Sequence, residues 1–394
     1  MAKNEELSKA KDAKKDEFYT QLTDIEKEMQ HYRKHFENKT VFCNCDDPFE
    51  SNFFKYFVLN FNRLGLRKLI STCYASSPIA NTQLSLFDVV GTETSKQNKP
   101  YKAIVTKVYD KTGDGGIDMF DVAELFKSGE NELVELEGDG DFRSSECLAL
   151  LDEADIVATN PPFSKFRDFI SVLMEHKKHF IILGNVNAIT YKEFFPLLKD
   201  NKVWIGASIH SGDRKFYVPD DYPLNAAGCG IDENGRRFIR VKGVRWYTNL
   251  DIKQRHEEMI LVKRYTPEKY AHFDNYDAIN VDATADIPCD YAGLMGVPIT
   301  FFDRYNPEQF EIVGYTAKDM GVECLKFYQD LEQSINGGPF VRNMKSARFS
   351  PMIEVKERPA KTCYRASNAA NYLLKTYGRV IIRNKRPETP KEEK

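Results

Sequence analysis

Apolar positions first recur with a helical period. Phe18, Leu22, Ile25 and Met29 share one helix face, which predicts an amphipathic helix from Glu17 to about His35. Residues 41–45 then form a short apolar, β-prone run that Asp46-Asp47-Pro48 interrupts. Ser51 or Asn52 can cap a following helix that carries Phe53, Phe54, Phe57, Val58 and Phe61 and stops at Gly65. A second strand is predicted over 68–74. The apolar residues of these strands are consecutive rather than alternating, as expected of strands covered on both faces of a parallel sheet.

The rhythm breaks between Ala75 and Glu132, where a loop opened by Ser76-Ser77-Pro78, an extra strand over 101–109 and a short helix over 122–127 read as an insertion of about 76–132. Strand and helix alternation resumes with a strand at 133–136, the turn Gly138-Asp139-Gly140-Asp141 and a helix at 145–153. A strand at 155–159, a loop at 160–164, a helix at 165–176 and a strand at 179–183 follow. A helix at 191–198 and strands at 203–207 and 238–247 complete the expected fold, an α/β domain with a mostly parallel, seven-stranded, Rossmann-like sheet. Beyond about Leu250 the pattern is irregular. The expected division is an N-terminal arm and helix (1–38), a sheet domain (39–249) and a second domain (250–394).

With 394 residues, 42% of them hydrophobic, the chain can bury a large core and has the length of two or three domains. Its 56 basic and 59 acidic side chains give a net charge of -3, so attraction to a polyanion requires a local basic face. One candidate lies between Arg342 and Arg386, where basic residues become dense and interleave with Phe349, Tyr364, Tyr372 and Tyr377. That composition suits a nucleic-acid surface or a solvated basic face. The eight cysteines lack C-x-x-C spacing, which predicts reduced thiols and no metal site. No run approaches 18 apolar residues and the N-terminus mixes Lys with Asp and Glu, so the expected setting is the cytoplasm, with no membrane partner. The Lys-rich stretch 3–15 reads as a solvated tail.

The strongest chemical signal is Asp155-Ile-Val-Ala-Thr-Asn160-Pro161-Pro162-Phe163, a buried strand running straight into N-P-P-F. An exocyclic aromatic amine such as adenine N6 is a poor nucleophile because its lone pair is delocalised into the ring. Acceptors that take its hydrogens localise that pair. The Asn160 side-chain oxygen and the Pro161 carbonyl can each accept one. Two prolines stiffen the loop and remove competing N–H donors, and Phe163 offers a face for stacking an extruded base. The carboxyl end of a strand is also where open α/β sheets bind ligands.

Two further constellations suit a nucleoside-type cofactor. Asn44-Cys45-Asp46-Asp47-Pro48, followed by the Ser51/Asn52 helix start, can offer carboxylates to ribose hydroxyls or an amino group, and equally reads as an Asp-rich capping turn. Asp139, Asp141 and Phe142 follow the third predicted strand, where an acidic residue can meet an adenine amino group and an aromatic ring can pack on the base. Asp110 to Asp121 has oxygen ligands at calcium-loop spacing and a glycine at the sixth place, but a strand precedes it and Asp, not Glu, stands last; a glycine-rich turn into a helix is the simpler reading. The seven histidines form no triad or metal set, and His176 and His179 flank a helix end.

Over nearly its whole length the chain resembles the EcoRI-type adenine-specific DNA methyltransferases. The resemblance is carried by the run from Val41 to Phe57, Gly138-Asp-Gly-Asp-Phe-Arg-Ser144, Thr159-Asn-Pro-Pro-Phe-Ser164, Gly184-Asn-Val-Asn-Ala-Ile-Thr-Tyr-Lys-Glu193 and Met295-Gly-Val-Pro-Ile-Thr-Phe301. It implies a SAM-dependent methyltransferase (S-adenosylmethionine as donor), a duplex DNA substrate, base flipping, a recognition domain after the sheet, and GAATTC as a candidate target. It implies a monomer, and a cognate restriction endonuclease as a functional partner only. Lys165 and the segment 210–215 look similar to loops flanking a target-base pocket, with Lys165, Arg214 and Lys215 as DNA contacts. Relative to methyltransferases generally, the first strand lacks a glycine-rich turn and the second ends at Thr72-Cys73-Tyr74 without an acidic residue. Alternatives are an RNA adenine N6-methyltransferase and a non-catalytic DNA-binding protein on the same fold.

Overall fold

A computed structural model describes residues 19–45, 51–73, 100–218, 222–224, 228–342 and 349–389. The chain divides into two compact units, Met1–Asn187 with Val203–Ile252, and Ala188–Lys202 with Lys253–Lys394.

In the first unit the amphipathic lead helix α1 (Leu22–Met29) continues through a short turn into α2 (Arg33–Phe36) and buries Ile25, Met29, Tyr32 and Phe36. β1 (Thr40–Cys43) precedes α3 (Asn52–Leu59) and α4 (Phe61–Leu64), which ends at Gly65 in the left-handed conformation. β2 (Lys68–Thr72), β3 (Tyr101–Val105), α5 (Met119–Lys127), β4 (Glu132–Glu135), α6 (Ser145–Glu153), β5 (Ile156–Thr159), α7 (Phe166–Glu175) and β6 (His179–Asn185) follow. α8 (Phe195–Lys199) belongs to the second unit, where Phe195 packs against Phe302 and Tyr315. β7 (Trp204–Ile205), β8 (Asp213–Tyr217), β9 (Gly230–Ile231), β10 (Arg237–Lys242) and β11 (Val244–Thr248) complete the first unit.

The main sheet has eight strands in the order β4-β3-β2-β1-β5-β6-β11-β7, not the seven mostly parallel strands expected. Only β2-β1-β5-β6 are mutually parallel; the other four neighbour pairs are antiparallel. Two local causes account for the difference. The strand assigned to the insertion, Tyr101–Val105, is buried at Tyr101, Ala103, Ile104 and Val105 and wedges between β2 and β4. The strand expected over 238–247 is broken by Gly243 at φ 70°, so β10 pairs with β8 and β9 in a separate sheet and β11 alone joins the large one.

The second unit is built on two antiparallel-rich sheets. β12 (Ile279–Asn280), β13 (Met295–Val297), β20 (Val380–Asn384) and β14 (Phe310–Tyr315) form one. β16 (Phe340–Arg342), β15 (Glu332–Ser334), β18 (Cys363–Arg365), β19 (Tyr372–Lys375) and β17 (Met352–Val355) form the other. All eight cysteines are free thiols. Among the described residues no helix is long and apolar enough to cross a membrane.

Candidate active site

The order in which the sheet is laid down reverses at β1. β2 lies parallel on one side and β5 parallel on the other, so their connections leave in opposite directions and open a crevice outside the carboxyl ends. Asn44 and Cys45 leave β1 there, and Asn160 to Phe163 leave β5. Thr159 donates its hydroxyl to the Asn44 carbonyl, and Ser71 donates to the Cys43 carbonyl at 2.8 Å. Three adjacent strand ends are thereby fixed as one shelf.

The shelf is polar and buried. Asn44, Thr72, Thr159 and Asn160 are each no more than 4% exposed. The Asn44 Oδ1 atom is buried with no hydrogen-bond partner among the described residues, a cost of about 1–3 kcal/mol that a donating ligand would remove. Cys45 has φ 80°, a left-handed conformation a β-carbon disfavours, where a glycine-rich turn would otherwise stand. Asp46, Asp47 and Pro48 lie outside the described residues.

The tetrapeptide Asn160 to Phe163 is held from behind. Pro161 and Pro162 are buried, and Phe163, half-buried, packs on the main core as it opens a short 3₁₀ turn into α7. The Pro162 carbonyl accepts from the Lys165 N–H at 2.9 Å, leaving the Pro161 carbonyl as the candidate acceptor for substrate.

Beyond β4 the acidic turn closes onto the end of β2. Gly140 has φ 75°, and a β-carbon there would lie 2.2 Å from the Cys73 carbonyl oxygen, so this approach requires glycine. Asp139 is exposed and caps the Asp141 N–H at 3.0 Å. Asp141 is occupied: both its oxygens accept from Arg143 at 2.9 Å, and one accepts from Lys165 at 3.2 Å. The Arg143 guanidinium, helped by Lys165, holds the Asp141 carboxyl well below the ordinary carboxylate range. Phe142 is buried edge-on against Phe169 at 5.1 Å, with Arg143 over its ring. Asp139 is therefore the acid of this turn open to a ligand, while Asp141 ties the turn to Lys165 just past the tetrapeptide.

Ser51 caps α3 by accepting from Phe53 and Phe54 N–H, and the Asn52 amide donates to the Thr20 carbonyl at 2.6 Å. Arg214 and Lys215 stand on β8. Lys215 sits 4.3 Å above the Phe238 ring and 3.7 Å from Asp232, and Arg214 reaches the Ser211 carbonyl at 3.2 Å. In the Asp110–Asp121 loop the carboxylates are spent on the backbone. Asp121 accepts from Lys111, Thr112 and Asp118 N–H, Asp110 from Gly113 and Gly115, and Asp118 with Asp121 forms a capping box on α5.

One residue of this edge went unnoticed in the sequence. Glu28, fully buried on α1, accepts from the Tyr32 hydroxyl at 2.7 Å and from Ala207 and Ser208 N–H at 2.8 and 2.7 Å. Gly206 must be glycine, since a β-carbon would lie 2.2 Å from Glu28 Oε1. Buried Arg245 donates to the His210 carbonyl at 2.6 Å. β7 and β6 both run antiparallel to β11, so the loop Glu28 and Arg245 shape leaves the sheet on the same edge as Asn160. The signal was a carboxylate three residues after Ile25 and four before Tyr32, inside the apolar stripe of α1.

Residues 6–385 match the family described as adenine-specific methyltransferase EcoRI. The chain is 45% identical over 327 residues to the type II methyltransferase M.EcoRI of Escherichia coli, covering 82% of this chain and 93% of that protein. It is 36% identical over 358 residues to M.MgeORF184P of Mycoplasma genitalium and 33% over 359 residues to M.MpnI of Mycoplasma pneumoniae, both type II methyltransferases, each alignment covering 89% of this chain and 98% of the relative. No solved structure matches it. The chain thus belongs to the EcoRI family of adenine-specific DNA methyltransferases.

Proposed function

We propose that this enzyme methylates the exocyclic N6 of an adenine flipped out of duplex DNA, using SAM held in the β1/β5 crevice, with GAATTC as the first target to test. The juxtaposition that supports this most is the link from Thr159 to Asn44, which puts the N-P-P-F loop beside the polar end of β1. Bound there, SAM supplies an electrophilic methyl on a sulfonium. Asn44 would donate or accept at its polar groups, Asp139 would take an amino group, and Asp46 and Asp47 remain the candidates for its hydroxyls.

Asn160 and the Pro161 carbonyl would accept the two N6 hydrogens and turn the nitrogen lone pair toward the methyl. An amide neither gains nor loses a proton near neutral pH, so Asn160 orients and polarises rather than acting as a base. Phe163 would stack the extruded base, an arrangement that favours a planar acceptor removed from its helix. Residues 250–394 would recognise DNA, and the protein would act as a cytoplasmic monomer alongside a cognate restriction endonuclease. Labelled SAM and a random duplex library test the reading. N6-methyladenine confined to one short sequence is expected, whereas label on structured RNA alone, or on cytosine, would overturn it.

A further inference from the structure

Residues 331–375, the span of the five-stranded sheet, hold eight basic and three acidic side chains in a chain of net charge -3. The hairpin between β15 and β16 turns through Asn336 and Gly337, both at positive φ (48° and 79°), the geometry of a tight two-residue turn. Arg358, from the connection between β17 and β18, locks against this turn. It donates to the Ser334 hydroxyl at 3.0 Å and to the Gly337 and Gly338 carbonyls at 3.1 and 2.6 Å, and lies 4.9 Å over the Phe340 ring. All three acceptors are neutral, so its charge is not cancelled by the groups it binds.

Arg358 thereby fixes a second basic strip beside the hairpin. Lys356 and Lys361 flank it on the same short connection; both are exposed and neither has a carboxylate partner among the described residues. Arg342, on the hairpin, is paired only with Asp330 at 3.3 Å with both side chains about two-thirds exposed, a pair that water nearly neutralises in energy. The hairpin that Arg358 holds exposes Ile335 (63%) and Val341 (64%), which line a pocket of about 360 Å³ with Pro339 and Arg342. Exposed apolar side chains beside a connection that carries three cations against the one acid Glu357 suit the rim of a nucleic-acid groove. An apolar protein partner would leave those charges unmet.

We infer that the β15–β16 hairpin and the 356–361 connection form a duplex-DNA contact edge, in which Lys356 and Lys361 neutralise phosphates and Ile335 rests against the groove wall. The inference rests on the DNA-methyltransferase reading and adds where the second unit touches the duplex. It is tested by the salt dependence of binding of the full chain to a duplex oligonucleotide carrying the mapped site. Each lost phosphate contact lowers the slope of log K against log salt by about 0.9. The double variant K356A/K361A is expected to bind about tenfold or more weakly at 0.1 M salt, with a slope shallower by about 1.8, while K356R/K361R keeps the wild-type slope. Retained SAM affinity and an unchanged unfolding midpoint show that the double variant is folded. An unchanged slope, with or without weaker binding, overturns the inference. Failure of the wild-type chain to methylate duplex DNA would instead strike the reading on which it rests.

Discussion

In the α/β unit the sheet is a continuous apolar surface: β1, β5 and β6 are buried almost throughout, and Phe53, Phe54, Phe57 and Trp246 fill the layer that covers them. In the β unit the strands are two to six residues long and amides substitute for missing ladder partners. Asn275 accepts from the Met352 N–H and donates to the Ser350 carbonyl, both at 2.9 Å. Gln309 pairs with both backbone groups of Met259 at 2.8 Å, as a neighbouring strand would. Where strands are buried throughout, as β1 and β5 are, chemistry can be gathered at their ends. Where burial alternates or is partial, as in β14, β16 and β17, stability depends on single buried polar residues and chemistry spreads over the surface.

The sharpest test of that contrast lies where the α/β unit departs from it. Glu28→Ala leaves the buried Tyr32 hydroxyl and two half-buried backbone N–H groups, of Ala207 and Ser208, without their acceptor. It is expected to cost about 4 kcal/mol in chemical denaturation, with weaker DNA methylation as the 206–210 loop loosens. Asn275→Ala is expected to cost about 2–3 kcal/mol while SAM affinity, measured by calorimetry, stays unchanged; a fall in SAM affinity would show that the two kinds of region are not separable in function.

The smallest effect is one of pH. Asp141 has a lowered folded-state pKa, so its stabilising contribution is complete above the unfolded value near 4 and fades as pH falls toward the folded one. Arg143→Ala is expected to lower stability most above about pH 5, where the contribution is complete, and to flatten the acid limb between about pH 5 and 2 so that variant and wild type converge in acid, followed by circular dichroism.

The same contrast explains what the sequence disclosed. Helices and strands from Leu22 to Asn185 follow from local periodicity because each buries a consistent face, and the N-P-P-F loop stands out because its chemistry is contiguous. The eighth strand was legible as a strand but not as a member of the main sheet, since pairing with β2 and β4 is a long-range fact. Gly243 was one glycine in an otherwise unbroken β pattern, and only its positive φ divides the run. Glu28, Asn275 and Gln309 act on backbone 50 or more residues away and leave almost no trace in their own neighbourhoods. Commitment of Asp141 to Arg143 and Lys165 likewise appears only once the turn and α7 meet.

Single-turnover methyl transfer by Asn160→Ala tests the central claim most directly. With saturating labelled SAM and duplex DNA carrying the mapped site, the rate is expected to fall by about 10²–10³-fold while the DNA dissociation constant changes little, because a buried orienting acceptor has been removed from the end of β5. A rate within a few-fold of wild type would contradict the assignment of the chemistry to this loop.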